Sequence, residues 1–368
     1  MSVADIIAEM CLKLYDSFGK KGKPEKGKEW TQLAGIVMEI DNKFTVVSLA
    51  TGTKCIGVNS MCPNGTILND SHAEVLARRA FHRFIYEEMK VVKNGGRSEI
   101  LKWKGPKFDL CKNLKFHLYT SHVPCGDASI IPMKEMEELL PVSKRQKIDV
   151  YRTGAKPVCY GSKQDSKNSG VDYHVRGAVR TKPGRGNPTM SLSCSDKIAR
   201  WIYVGLQGAL LSHLMEEDLK LSTLVIGAGG PFNHDIIKHS LIGRSGVESD
   251  LPQILQTNLV FCDSPFKIIG GKPTPTSIIW SNVLNKSLDV SSRGRRLGTT
   301  TKSINKGVVM VAKIEFLKQF LSLCSENQEK ITYREIKSCA YNYQLRCRDF
   351  KQRMGIWSQK SQFENFLL

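Results

Sequence analysis

Apolar positions recur at helical spacing near the start of the chain: Ile6, Ile7, Met10 and Leu14 share one face between Ser2 and Phe18, and Ser2 with Asp5 has capping-box spacing. The apolar, β-branched runs 33–40 and 44–49 flank Asp41-Asn42-Lys43, a hairpin pattern followed by a polar turn at Thr51-Gly52-Thr53-Lys54-Cys55. With Asp70 or Ser71 as cap, Val75, Leu76, Ala80, Phe84 and Ile85 form the buried face of a helix expected to reach about Met89. Residues 90–114 lack a repeated pattern and read as a loop, residues 115–121 as a strand, and Met133 to Leu140 as a helix. A Lys-, Ser-, Gly- and Asp-rich stretch at 142–175 is expected to be a flexible insertion. A helix opens at Ser193-Cys194, and its pattern continues through Trp201, Leu206, Leu210 and Leu214. Strands are expected over 221–226, 259–262 and 277–280, a short helix over 233–242, and two long helices over 310–324 and 332–354. Gly227-Ala228-Gly229-Gly230 lacks the spacing of a dinucleotide loop, and there is no internal repeat.

Charge changes this picture. The 368 residues include 54 Lys+Arg against 35 Asp+Glu, a net charge of +19. Such a field favours a polyanion, with nucleic acid the leading class. No apolar run is long enough to span a bilayer, so no membrane partner is expected. The start of the chain, with Asp5 and Glu9, does not have the pattern of a secretory leader. Eleven widely spread cysteines fit a reducing compartment, nuclear or cytoplasmic, where thiols serve as core residues or metal ligands.

Three of the potential ligands stand at similar stations. His72 opens one expected helix, Cys125 follows a proline at a strand end, and Cys194 opens another helix. Catalytic zinc takes three protein ligands and keeps a fourth position for water. Nucleobase deaminases add a glutamate that moves protons without binding the metal, and Glu74 has the His-x-Glu spacing for that role. Their short signature also has a second cysteine three residues after the first, where this chain has Ala128.

Together, Asn69-Asp70-Ser71-His72-Ala73-Glu74, Pro124-Cys125-Gly126-Asp127 and Ser193-Cys194-Ser195-Asp196-Lys197-Ile198-Ala199-Arg200-Trp201 resemble the adenosine-to-inosine RNA deaminase family, from Gly52 to Trp357. In that family the second cysteine ligand comes from a remote helix, which implies Cys194. The resemblance implies an α/β fold, a cytidine-deaminase-like α/β/α sandwich with a central mixed sheet. One domain would cover 1–368, with a zinc core at about 30–230 and a C-terminal helical section at about 231–368 enclosing inositol hexakisphosphate. Asp70-Ser71-His72, the run Arg180 to Gly186 and Gly298-Thr299-Thr300 are most similar to the tRNA-acting branch. That branch modifies the adenosine 3′ of the anticodon of alanine tRNA, position 37. The duplex editors of the family carry a glutamate that fills the space left by the flipped base; its place falls near Arg185 here. Editing of mRNA or double-stranded RNA is the alternative activity. A non-catalytic, zinc-stabilised RNA-binding module is the alternative of another class, and Glu74 argues against it. Neither DNA nor a protein partner is implied.

The resemblance also implies site residues. Asn69, Arg78, Arg79, Lys197, Arg200, Trp201, Lys302, Tyr333, Lys337, Tyr343, Trp357 and Lys360 would hold the inositol hexakisphosphate. Buried cations are costly unless paired, and a polyphosphate pairs many at once. A basic residue expected four after Tyr343 is Cys347 here. For RNA, Thr53 would meet a ribose hydroxyl, while Lys54, Arg180, Lys182 and Arg185 would meet phosphates. Lysines 20, 21, 23, 26 and 28 offer a hold on the tRNA body, or simply a solvated face.

Overall fold

A computed structural model describes residues 1–132, 150–151, 153–158, 174–184, 187–324, 331–358 and 360–368. The helix expected at 133–140, most of the expected insertion, and Arg185 lie outside them. Eight strands form the central sheet: β1 Leu33–Ile40, β2 Lys43–Thr51, β3 Leu114–Thr120, β4 Thr223–Ile226, β5 Gln253–Gln256, β6 Thr276–Ser281, β7 Leu288–Ser292 and β8 Arg295–Arg296. Their order is β5-β4-β3-β1-β2-β6-β7-β8. The pairs β5–β4 and β4–β3 are parallel, and the others are antiparallel. The sheet is therefore mixed, and it draws strands from both sides of residue 231.

Strand alternation divides the core into two layers. Leu33, Val37 and Leu49 pack with Ala4, Ile7, Ala8 and Cys11 of helix α1 (Val3–Ser17). Ala34, Ile36, Met38, Val47 and Ala50 pack with Leu76, Ala77, Ala80 and Phe84 of helix α2 (Ala73–Lys93). A bulge between Ile36 and Val37 breaks the register opposite Val47, which lets Val46 and Leu49 join the same layer. Gly35 makes room for the first layer, since a Cβ there would lie 2.8 Å from Cys11 Sγ.

Several expectations need correction. The helix opening at Cys194 ends at Val204, because Gly205 takes φ 87°, and a second helix covers Gly208–Leu214. These are α3 and α4; α5 is His234–Leu241. The span 332–354 is two helices, α7 (Tyr333–Cys339) and α8 (Tyr341–Met354), separated at Ala340; α6 is Lys313–Leu323. Residues 259–262 form no strand, and the parallel edge is β5 instead. Within 90–114, α2 continues to Lys93 and Leu101–Trp103 pairs with Phe108–Leu110. The polar turn at 51–55 contains a short strand, Thr53–Cys55, paired with Asp70–His72.

Candidate active site

That short strand pair resolves the His-x-Glu spacing. Residues two apart on a helix diverge. His72 instead has extended backbone (φ −69°, ψ 144°) as the last residue of its strand, while Glu74 lies in the first turn of α2. The helix cap is thus His72, and Asp70 accepts the His72 N–H at 3.0 Å rather than capping the helix. Gly52 makes the crossing possible: its φ is 143°, and a Cβ would lie 2.1 Å from the Ser71 carbonyl oxygen.

The two cysteines meet from distant parts of the chain. Cys125 lies on the loop after β3, and Cys194 is the first residue of α3, capped by Ser193. The Cys194 N–H donates to Cys125 Sγ at 3.3 Å. Gly126, at φ 111°, admits this approach, because a Cβ would lie 2.3 Å from Ser193 Oγ. Arg244 clamps both stations, donating to Asp196 at 2.9 Å and lying 3.6 Å from Asp127. Nothing in the sequence pattern marked Arg244 for this task.

His72 Nδ1 is 3.9 Å from Cys125 Sγ and 3.7 Å from Cys194 Sγ. Zinc bonds of about 2.1 Å to nitrogen and 2.3 Å to sulfur at tetrahedral angles place those atoms about 3.6 Å apart. The donor set therefore fits zinc in chemistry and spacing, with one coordination position left over. Electrostatics agree. Hydrogen bonding with Cys194 and the charges around it hold the Cys125 thiol well below its usual range. Burial and then Lys182 oppose a charge on His72, yet the Cys125 thiolate beside it raises it to about 10. Burial and the neighbouring Cys125 thiolate instead push the Cys194 thiol well above its usual range. Cys55, Asp70 and His72 also gather donor atoms within 4.8 Å, but Asp70 is already paired with Lys182 and Lys197.

Glu74 is buried, and its Oε2 has no hydrogen-bond partner among the described residues. Thr53 Oγ1 is likewise buried without a partner. Buried polar atoms are normally satisfied, so such orphans call for an explanation by ligand or water.

Two expected RNA contacts sit elsewhere. Lys182 is buried, with Nζ 2.9 Å from Asp70 and 3.0 Å from Cys194 Sγ. Burial opposes its charge, but Asp70 and the thiols hold it well above its usual value. Arg180 is also buried, and its guanidinium donates to the Ala155 and Val175 carbonyls. Neither presents its charge to solvent. Lys54 stays half-buried, paired in register with Ser71.

Behind Asp70 lies a cavity of about 680 Å³. Of the residues expected around a polyphosphate, it is lined by Asn69, Arg78, Arg79, Lys197, Arg200, Trp201, Lys337, Trp357 and Lys360. Tyr333 and Tyr343 are buried but do not form its wall, and Lys302 is exposed outside it. Lys313, Arg334, Arg348 and Lys351 line it without having been expected. Gln344, Arg348 and Lys351, spaced four and three apart, present one face of α8 to the cavity. Cys347 is buried, and its neighbour Arg346 turns away to Asp218. Arg78 Nε and Nη2, Arg200 Nε and Trp201 Nε1 are buried without hydrogen-bond partners among the described residues. Burial lowers Arg78 to about 10 and Lys360 to about 7. Among the described residues that line it, only Asp70 and Glu364 are acidic, so the cavity fits a polyanion.

Residues 48–361 match the adenosine-deaminase (editase) domain family. The chain belongs to that family. It is a deaminase. The chain is 33% identical to human tRNA-specific adenosine deaminase 1 over 97% of its length and 98% of the relative. The Drosophila melanogaster protein of that name is 36% identical, covering 96% of the chain and 94% of the relative. Mouse double-stranded RNA-specific adenosine deaminase is 29% identical over 91% of the chain, but only 30% of the relative is covered.

Proposed function

We propose that this protein deaminates adenosine to inosine in tRNA, at the position 3′ of the anticodon of alanine tRNA, and that it does so with zinc. The observation that carries the reading is the convergence of His72, Cys125 and Cys194, with the charge of Glu74 reaching Cys194 and its buried Oε2 without a partner among the described residues. The tRNA substrate is supported by relatives matched along almost their whole length. An anticodon loop is single-stranded, so a base can be splayed into a pocket at low cost.

His72, Cys125 and Cys194 would hold the zinc, which when bound lowers the pKa of water toward neutrality and supplies Lewis acidity. The chain's own residues do the rest. Net reaction consumes water: a C–O bond forms at the purine C6, the C6–amino bond breaks, and ammonia leaves. Glu74 takes one proton from the attacking water and delivers it to the ring nitrogen, where it stays; it then takes the second proton from the new C6 hydroxyl and passes it to the leaving amino group, which departs as ammonia as the C6 carbonyl forms. Burial of Glu74 keeps that proton from bulk solvent. Thr53 Oγ1 offers a hydrogen bond to the substrate ribose. Lys182, buried against Cys194 and Asp70, holds the sulfur in place.

The cavity behind Asp70 would hold inositol hexakisphosphate as part of the fold. Its unpaired guanidinium and indole N–H groups fit phosphate oxygens, with Arg matching them through two parallel hydrogen bonds. Incubation with total tRNA, with inosine read by sequencing, tests the reading. Inosine next to the alanine anticodon is the expected result. Inosine in long duplex RNA and none in tRNA would overturn it.

A further inference from the structure

Two segments far apart in the chain lie together, joined by backbone pairing. Glu29–Trp30 pairs in parallel with Lys272–Pro273, the Lys28 carbonyl accepts the Lys272 N–H at 2.8 Å, and the Trp30 indole donates to the Gly271 carbonyl at 3.1 Å. The loop before this pair is pinned as well. Gly22 takes φ 87° where a Cβ would lie 2.7 Å from Val290, and its carbonyl accepts Thr276 Oγ1 at 3.0 Å. Lys23 is spent internally, over the Tyr15 ring and against the Asp16 carbonyl. Lys28 pairs with Glu25. That leaves Lys20, Lys21 and Lys26 on one segment, and Lys267 and Lys272 on the other. All five are exposed and form no ion pair among the described residues.

This group continues into the catalytic site through backbone. Two residues after Trp30, the Gln32 carbonyl accepts the Gly52 N–H at 3.1 Å, and the Gly52 carbonyl accepts the Ala73 N–H at 3.0 Å, next to Glu74. On the other segment, the Phe266 ring stacks on His122, three residues before Cys125, at 5.5 Å. A nucleic acid strand with one base at Glu74 extends beyond the reacting nucleotide, and these two segments are tied to that site by the backbone and ring contacts just given. We infer that Lys20, Lys21, Lys26, Lys267 and Lys272 form a phosphate-binding surface for the substrate RNA strand outside the reacting nucleotide. The surface rests on the RNA reading above and deepens it. Charge complementarity selects the occupant: exposed unpaired lysines on a backbone fixed at both ends, on a chain of net charge +19.

The test is the fivefold alanine variant of these lysines, in the full chain, with whole alanine tRNA. RNA retention on filters is measured across salt concentrations, and turnover is measured separately. Each phosphate contact contributes about 0.7 to 0.9 to the salt slope. A slope shallower by about 2 or more, a KM raised about tenfold or more and an unchanged kcat are the expected results. A comparison variant removes Lys43, Arg97, Lys102 and Lys112, exposed cations towards the opposite end of β1 and β2. It should keep the slope and KM of the parent. Unchanged slope and KM in the fivefold variant, or equal losses in the comparison variant, overturn the surface. If the parent makes no inosine in tRNA, the substrate reading fails, while the filter measurement still decides the surface.

Discussion

Lys182 reaches Cys194: its ammonium lies 3.0 Å from the sulfur, sealed from solvent, with Asp70 as its second partner. The residue thus belongs to the interior charge chain that runs from Cys194 through Asp70 to Lys197 at the polyanion cavity. Lys182→Met leaves Asp70 buried with one partner fewer. Breaking a buried pair costs about 3–5 kcal/mol. Chemical denaturation is expected to show a loss of that size, together with reduced metal content by atomic absorption. Parent stability would place the charge chain outside the energetics of the fold.

Glu74→Gln keeps shape but removes the proton carrier. Inosine formation should fall by at least about 10²-fold, the usual scale of general acid–base catalysis. Melting temperature and bound metal should match the parent. Undiminished turnover would remove Glu74 from the mechanism.

Arg244→Ala uncovers two buried carboxylates, Asp127 and Asp196, that belong to the two cysteine stations. Destabilisation of about 3 kcal/mol or more is expected from denaturant titration. Arg244→Lys should recover only part of it, since a single ammonium cannot reproduce the guanidinium fork. Full recovery by lysine would show that charge alone suffices.

Protein made in cells that lack inositol hexakisphosphate should be insoluble or inactive, because a ligand that binds only the native state adds its binding free energy to folding. Total phosphate analysis of denatured protein reads the occupancy. Active, well-folded protein without bound polyphosphate would sink the structural role of the ligand.

Glu364 pairs with Lys313 at 3.0 Å and Lys337 at 2.5 Å. Burial pushes its carboxyl up, but the two lysines outweigh that and lower it from 4.5 to about 2. A depressed carboxylate contributes stability that is complete above its unfolded value and lost as pH falls through the folded one. Melting temperature should therefore decline between about pH 4.5 and pH 2, with a smaller decline in Glu364→Gln. Identical pH profiles would show that this pair adds nothing.

Much of the architecture was legible in local pattern. The continuous apolar run at 33–40 fits a strand buried on both faces, the 3.6-residue period after residue 73 fits a helix with one buried face, and the structure forms β1 and α2 there. Breaks were harder to see. Apolar spacing runs straight through Gly205 and Ala340, and only the positive φ of one and the turn at the other divide those helices. The last two strands of the sheet, β7 and the edge strand β8, carry Ser, Asp and Arg, a composition too polar to announce a sheet.

The site divides in the same way. Residue type and spacing marked His72, Glu74, Cys125 and Cys194 only as candidates, and it was the family resemblance that implied one site made of all four. Tertiary structure decided which charges are interior. Lys182 and Arg180 look like solvated loop cations, but pairing with Asp70 and with backbone carbonyls lets them be buried. Arg244 and Lys313 carry no local mark, because their partners lie 48 and 51 residues away. A sequence records which groups can ionise. Only the folded chain sets the distances that determine whether burial penalises a charge or a partner stabilises it.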